Sequence, residues 1–166
     1  MRAETSSMVT EECENDECDG SACGFDLIAR QMRATLQMAG MKATPQRLAL
    51  CSLLFIAGDR HMTAEILGRE ARAMDLPVTP KGIKTMLREF VGAGLLREIA
   101  LYGETIWYDT DTGPHFHFYD EDAKLLFDMP EAMIPRLNLP ELADIELIGV
   151  DLIVRIRRKR DGDHQM

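Results

Sequence analysis

Residues 79–100 read Thr79-Pro80-Lys81-Gly82-Ile83-Lys84-Thr85-Met86-Leu87-Arg88-Glu89-Phe90-Val91-Gly92-Ala93-Gly94-Leu95-Leu96-Arg97-Glu98-Ile99-Ala100. Threonine followed by proline is a helix start, because the hydroxyl accepts from a free amide and proline fills the first helical position, where no amide hydrogen is needed. Ile83, Met86, Leu87, Phe90 and Val91 then fall on one face, and Gly92 and Gly94 close the helix. Beyond them the period drops towards two at Leu96, Glu98 and Ala100. A turn follows at Tyr102-Gly103-Glu104, and Thr105-Ile106-Trp107-Tyr108 returns, which predicts a β-hairpin. Helices running straight into a hairpin suggest a winged helix, in which the last helix enters the major groove and the hairpin lies along the phosphates. The same order of elements also suits a protein-binding module.

Upstream, Phe25, Ile28, Ala29, Met32, Leu36 and Ala39 fall near helical spacing before Gly40. Thr44-Pro45 opens a second helix with Leu48, Cys51, Leu54 and Phe55 on one face, and Thr63 opens a third that ends at Leu76-Pro77. Four helices in series are predicted. Downstream of Thr112-Gly113-Pro114, strand-like runs cover His115–Tyr119, Lys124–Asp128 and Ile145–Ile156. Three such strands cannot bury a sufficient core alone, and pairing with a second copy of the chain is the simplest way to hide them. The expectation is an α+β chain: a flexible acidic tail over 1–23, a winged-helix domain over 24–112, a dimerisation lobe over 113–160 and a C-terminal tail over 161–166.

The 166 residues, 46% of them hydrophobic, suit one compact unit or two small lobes. No run of roughly 18 apolar residues occurs, and the N-terminus lacks the apolar core of a secretory signal, so a cytoplasmic protein with no membrane partner is expected. A net charge of −9 taken whole argues against a polyanionic partner. The charge is partitioned, however: residues 1–23 carry seven acids against Arg2 alone, residues 24–100 eleven bases against seven acids, and residues 101–166 seven bases against fourteen acids. The basic excess lies where the winged helix is predicted.

Three blocks carry a resemblance: Gly40-Met41-Lys42-Ala43-Thr44-Pro45-Gln46-Arg47, Arg60-His61-Met62-Thr63-Ala64-Glu65 and Ala93-Gly94-Leu95-Leu96-Arg97-Glu98. Together they resemble the ferric uptake regulator family, and the likeness runs from about Phe25 to Lys159. The runs Trp107–Thr112 and His115-Phe116-His117-Phe118-Tyr119 are similar to the iron response regulators within it. The resemblance implies a homodimeric, iron-responsive transcription regulator that binds double-stranded operator DNA and senses haem or a divalent metal. It places backbone-contacting bases at Lys42 and Arg47. The family's usual recognition helix, Val-Ser-Leu-Ala-Thr-Val-Tyr-Asn-Thr-Leu, is here Val78-Thr79-Pro80-Lys81-Gly82-Ile83-Lys84-Thr85-Met86-Leu87. Lys84 stands where the family has a thymine-contacting tyrosine. Lys81 and Lys84 lie three apart on one helix face and, with Thr85, offer a surface for phosphate or guanine edges. A diverged subunit that has lost operator binding is the alternative.

The family's inter-lobe metal site carries over to His61, Asp109, His117 and Asp128, a donor set that suits zinc, manganese or ferrous iron. In a strand, His115 and His117 are expected to point to opposite faces and not to chelate one ion side by side. Haem is a second candidate cofactor, with His115, His117 and the tail cysteines Cys13, Cys18 and Cys23 as its candidate ligands. The histidine run of the iron response regulators is interrupted by Phe116, and no Cys-Pro dipeptide occurs. Cys51, on the apolar face of the second helix, reads as a buried thiol. No nucleophile triad or phosphate-binding glycine motif is present, so no enzymatic activity is expected.

Overall fold

A computed structural model of the chain describes residues 20–101, 105–136, 144, 146 and 150–159, of which residues 20–25 are described by backbone alone. The elements are α1 (Gly20–Met38), α2 (Pro45–Phe55), β1 (His61–Thr63), α3 (Ala64–Ala73), α4 (Pro80–Gly92), β2 (Arg97–Ala100), β3 (Ile106–Asp109), β4 (His117–Asp120), β5 (Leu125–Asp128), a 3-10 turn at Glu131–Met133 and β6 (Ile153–Ile156). The chain is α+β.

Threonine hydroxyls start three of the helices. Thr44 accepts from the Arg47 amide at 3.3 Å, Thr63 from Ile66 at 3.2 Å and Thr79 from Gly82 at 3.0 Å, each relieving one amide that the helix cannot pair itself. Gly94, at φ +72, turns the chain out of α4 in a conformation that side chains with a Cβ resist. The core gathers Met32 and Leu36 from α1, Leu50, Cys51 and Leu54 from α2, Leu67 and Ala71 from α3, and Ile83, Met86, Leu87 and Phe90 from α4. α1 begins at Gly20, inside the tail expected over 1–23. Apolar periodicity marks only where a helix packs, and among the described side chains of α1 it is Ile28, Met32 and Leu36 that reach the core.

The first sheet, ordered β1-β3-β2, is antiparallel throughout. β1 has no counterpart in the sequence reading, because three residues are too few to show a period. This sheet is covered on both sides. Met62 and Tyr108 join the helical core, while Ile99 and Trp107 form a second cluster with Leu126 of β5, backed by Tyr119 and Ile153. That double burial makes Trp107, Tyr108 and Asp109 consecutively buried, where a half-exposed strand would alternate. The hairpin turn at 102–104 lies outside the described residues.

The second sheet runs β5-β4-β6, with β4 antiparallel to β5 and parallel to β6. Each of its strands is shorter than expected. The run from His115 becomes strand only at His117, and the run from Lys124 only at Leu125, because Lys124 takes a left-handed turn conformation at φ 55. The strand expected over Ile145–Ile156 is confined to Ile153–Ile156; Ile145 and residues 147–149 lie outside the described residues. Among the described residues, no helix is long and apolar enough to cross a membrane.

Candidate metal centre and nucleic-acid interface

Two ladder registers build the polar cluster between the sheets. His61 of β1 stands opposite Asp109 of β3, and His117 of β4 stands opposite Asp128 of β5. Strand partners share a face, so each sheet presents one imidazole and one carboxylate to the other. His115, in the loop after Gly113-Pro114, completes the group: one ligand atom from each of the five side chains lies within 4.8 Å of all the others. Asp109 Oδ2 is hydrogen-bonded to Nε2 of His115 at 2.8 Å and of His117 at 3.2 Å, and Nε2 of His61 lies 3.2 Å from it. Asp128 Oδ1 lies 3.1 Å from His61, 3.2 Å from His115 and 3.8 Å from His117.

The expectation that His115 and His117 face opposite ways is thereby corrected. Alternation holds only inside a ladder, and β4 begins at His117. His115 Nδ1 instead bonds the Gly113 carbonyl at 3.0 Å, which swings its ring beside His117 with centroids 4.4 Å apart. The Gly113-Pro114 dipeptide next to His115 is the signal in the sequence, since glycine-proline marks a turn or loop.

Asp109 is fully buried. Burial opposes its ionisation, yet its contacts with His117 and His61 and the 2.9 Å bond from the Asp111 amide outweigh that and hold its carboxyl far below the ordinary carboxylate range. For His61, burial disfavours the charged form, but the nearby negative charge of Asp109, with those of Asp128 and Asp111, wins and raises its pKa. Nε2 of His61 is nevertheless buried and unaligned for a hydrogen bond with either carboxylate. A buried ring nitrogen without a hydrogen-bond partner, three imidazoles and two carboxylates together fit a divalent cation, whose charge the carboxylates balance.

The predicted DNA-contacting residues divide between two places. Lys42, Arg47, Lys81 and Thr85 line one open groove of about 510 Å³, into which the capped N-termini of α2 and α4 also open at Thr44 and Thr79. Two helix N-termini and exposed lysines make this groove attractive to anions. Arg47 reaches Glu89 at 2.9 Å and the Lys42 carbonyl at 3.1 Å, bracing α2 against α4, and Glu89 itself adds a negative charge to the groove. Lys84 does not line it. It turns towards Glu65 of α3 at 4.0 Å and, with Arg88 and Tyr108, lines a separate cleft of about 330 Å³. Gly82 sits in the first turn of α4 with its amide on the Thr79 hydroxyl, where a glycine costs less than in a helix interior. Of the haem candidates, Cys13 and Cys18 lie outside the described residues and so does the side chain of Cys23, while His115 and His117 point into the carboxylate cluster. Cys51 is buried, and burial pushes its thiol up to about 11.

The family model for ferric uptake regulators matches residues 38–150. The peroxide-responsive repressor PerR of Staphylococcus aureus is 30% identical over 106 residues, which span 63% of this chain and 68% of PerR. The fold is similar to that of the ferric uptake regulator of Pseudomonas aeruginosa with manganese (TM-score 0.60, 22% identity, 78% of this chain and 98% of that one). It is similar also to the Vibrio cholerae ferric uptake regulator (TM-score 0.62, 17% identity, 76% and 98%).

Proposed function

The chain belongs to the ferric uptake regulator family, whose members are metal-responsive transcription regulators and not enzymes, and from that premise we propose that it is a metal-gated, operator-binding regulator. The observation that carries the reading is the convergence of His61, Asp109, His115, His117 and Asp128 between the winged helix and the second sheet. A divalent ion held there would add a bond between two elements that meet through the small Trp107 cluster and the Arg97–Asp151 pair, and so would set how α4 is carried relative to the lobe. Two charge-balancing carboxylates favour manganese, zinc or ferrous iron over haem, because the imidazole nitrogens face carboxylates and not an apolar slot.

The outward face of the second sheet supports a homodimer. Phe118 and Phe127 are ladder partners with rings 5.7 Å apart, Val154 stands beside them, and Leu125 and Phe127 remain 53% and 41% exposed. An apolar face of that kind is hidden by a second copy, which would present two α4 helices to successive turns of DNA. Lys42, Lys81 and Thr85, with Arg47, then meet phosphate and base edges, and Lys84 flanks them.

A second reading, response to peroxide, is favoured by the similarity to PerR. His61, Asp109, His115, His117 and Asp128 would hold ferrous iron, which would supply one-electron reduction of peroxide next to three imidazoles. Its mark is a mass gain of one oxygen on the peptides carrying His61, His115 or His117 after peroxide treatment of the iron-loaded protein. Without that gain the peroxide reading falls.

The deciding experiment selects duplexes from a random-sequence pool with purified protein, then measures anisotropy on the winner without metal, with Mn²⁺, Zn²⁺ or Fe²⁺, and with haem. Salt-dependent binding that tightens with a divalent ion is the expected result. Absence of salt-dependent binding in every condition overturns the reading and leaves a partner subunit that has lost operator binding.

A further inference from the structure

Arg97 donates no ligand to the cluster, yet it touches the loop that delivers His115 and the segment leading into β6, which backs His117. It stands opposite Asp109 across the β2–β3 ladder, with its side chain 21% exposed. Nη1 donates to the Gly113 carbonyl at 3.1 Å, and Nη2 pairs with Asp151. The Gly113 carbonyl is also the acceptor for His115 Nδ1. Asp151 precedes Leu152, whose carbonyl accepts the His117 amide at 3.1 Å. The loop between them is pinned from Asp109 outward, with the Gly113 amide on Asp111 Oδ1 at 2.8 Å.

We propose that Arg97 is a positioning residue for the metal site, holding the Gly113 carbonyl so that His115 keeps its proton on Nδ1 and turns the Nε2 lone pair to the ion, while its other arm anchors β6 beside His117. The inference rests on the metal reading above. A histidine whose Nδ1–H is donated to a fixed carbonyl has its coordinating nitrogen and ring orientation set in advance, and loss of such a partner costs about 10–100-fold in metal affinity. The guanidinium suits the task because it spans two acceptors in one rigid plane, which a single ammonium on a flexible stem does not. Asp151 is mostly exposed, so the Gly113 arm is the stronger of the two.

Co²⁺ titration tests this, read by the d–d absorption bands, which report ligand number and geometry, with Trp107 emission and metal-free thermal unfolding recorded alongside. For Arg97→Ala, Co²⁺ affinity should fall about 10–100-fold and the bands should shift towards those of His115→Ala. Arg97→Lys, which keeps the charge, should recover little, and Asp151→Asn should lose less than either. In the double variant of Arg97→Ala with His115→Ala, the loss should be far smaller than the product of the two single losses. Unchanged affinity and bands in Arg97→Ala, or in Arg97→Lys should the alanine variant fail to fold, overturn the positioning role, as do losses that multiply. Wild-type protein that takes up no Co²⁺ overturns the metal reading itself, and this inference with it.

Discussion

The core beneath α4 and the cluster between the two sheets are both buried, and they are built from opposite materials. Around Phe90, the packing of Leu36, Leu50, Leu54, Leu67, Ile83 and Leu87 is wholly apolar, and none of those side chains titrates or binds a ligand. Around Asp109, three imidazoles and a second carboxylate crowd an ionised group that the chain alone serves imperfectly, since Nε2 of His61 finds no aligned partner. The first region supplies stability unconditionally. In the proposed reading a cation completes the second, which makes it the region where stability and geometry become conditional. The difference separates what folds the winged helix from what reports to it.

Breaking the apolar side should give the largest effect. Phe90→Ala is expected to cost about 3–5 kcal/mol in urea unfolding, through lost burial and the cavity left behind, and by the same amount with or without metal. Breaking the polar side should do the reverse. At a Mn²⁺ concentration of 100 times its dissociation constant, the wild type gains about 2.7 kcal/mol of stability over the metal-free protein, and Asp109→Asn should lose that gain almost entirely. A Phe90→Ala cost that depended on metal, or a persisting Mn²⁺ gain in Asp109→Asn, would erase the distinction.

Smaller changes sharpen it. Thr79→Ala removes the hydroxyl that caps α4 and should cost about 1 kcal/mol in thermal or urea unfolding, independent of metal. Lys81→Ala should leave stability unchanged while lowering the salt slope of DNA binding by about 1, which anisotropy at several salt concentrations measures. The smallest change is chemical. With the Cys51 thiol pushed up to about 11, the thiolate is scarce below pH 9 and becomes the main form only above the shifted pKa, so alkylation by iodoacetamide at pH 8 should be far slower in the folded protein than in urea. Peptide mass mapping resolves that site from the other cysteines.

Legibility followed the same division. Threonine-proline pairs and one-face periodicity read the starts of α2 and α4 and their buried sides from sequence, because capping and amphipathicity are local. β1 was invisible at three residues, and the sheets' partners were set by long-range pairing that no local period encodes. At the cluster, His61, Asp109, His117 and Asp128 were reached through resemblance, and the structure brings them together with His115. The orientation expected of His115 fails because strand alternation does not reach back from His117 to a residue that a loop hydrogen bond, not a ladder, orients. Arg97 left no trace at all: an arginine in a hairpin strand looks like a surface charge until the fold sets Gly113 and Asp151 against it.

The account stands on one cation between the two sheets. Anomalous diffraction from crystals grown with Mn²⁺ tests it most directly: the account expects a manganese peak within bonding distance of His61, Asp109, His115, His117 and Asp128 in each protomer. A map with no peak there, or with manganese bound only elsewhere, would contradict it.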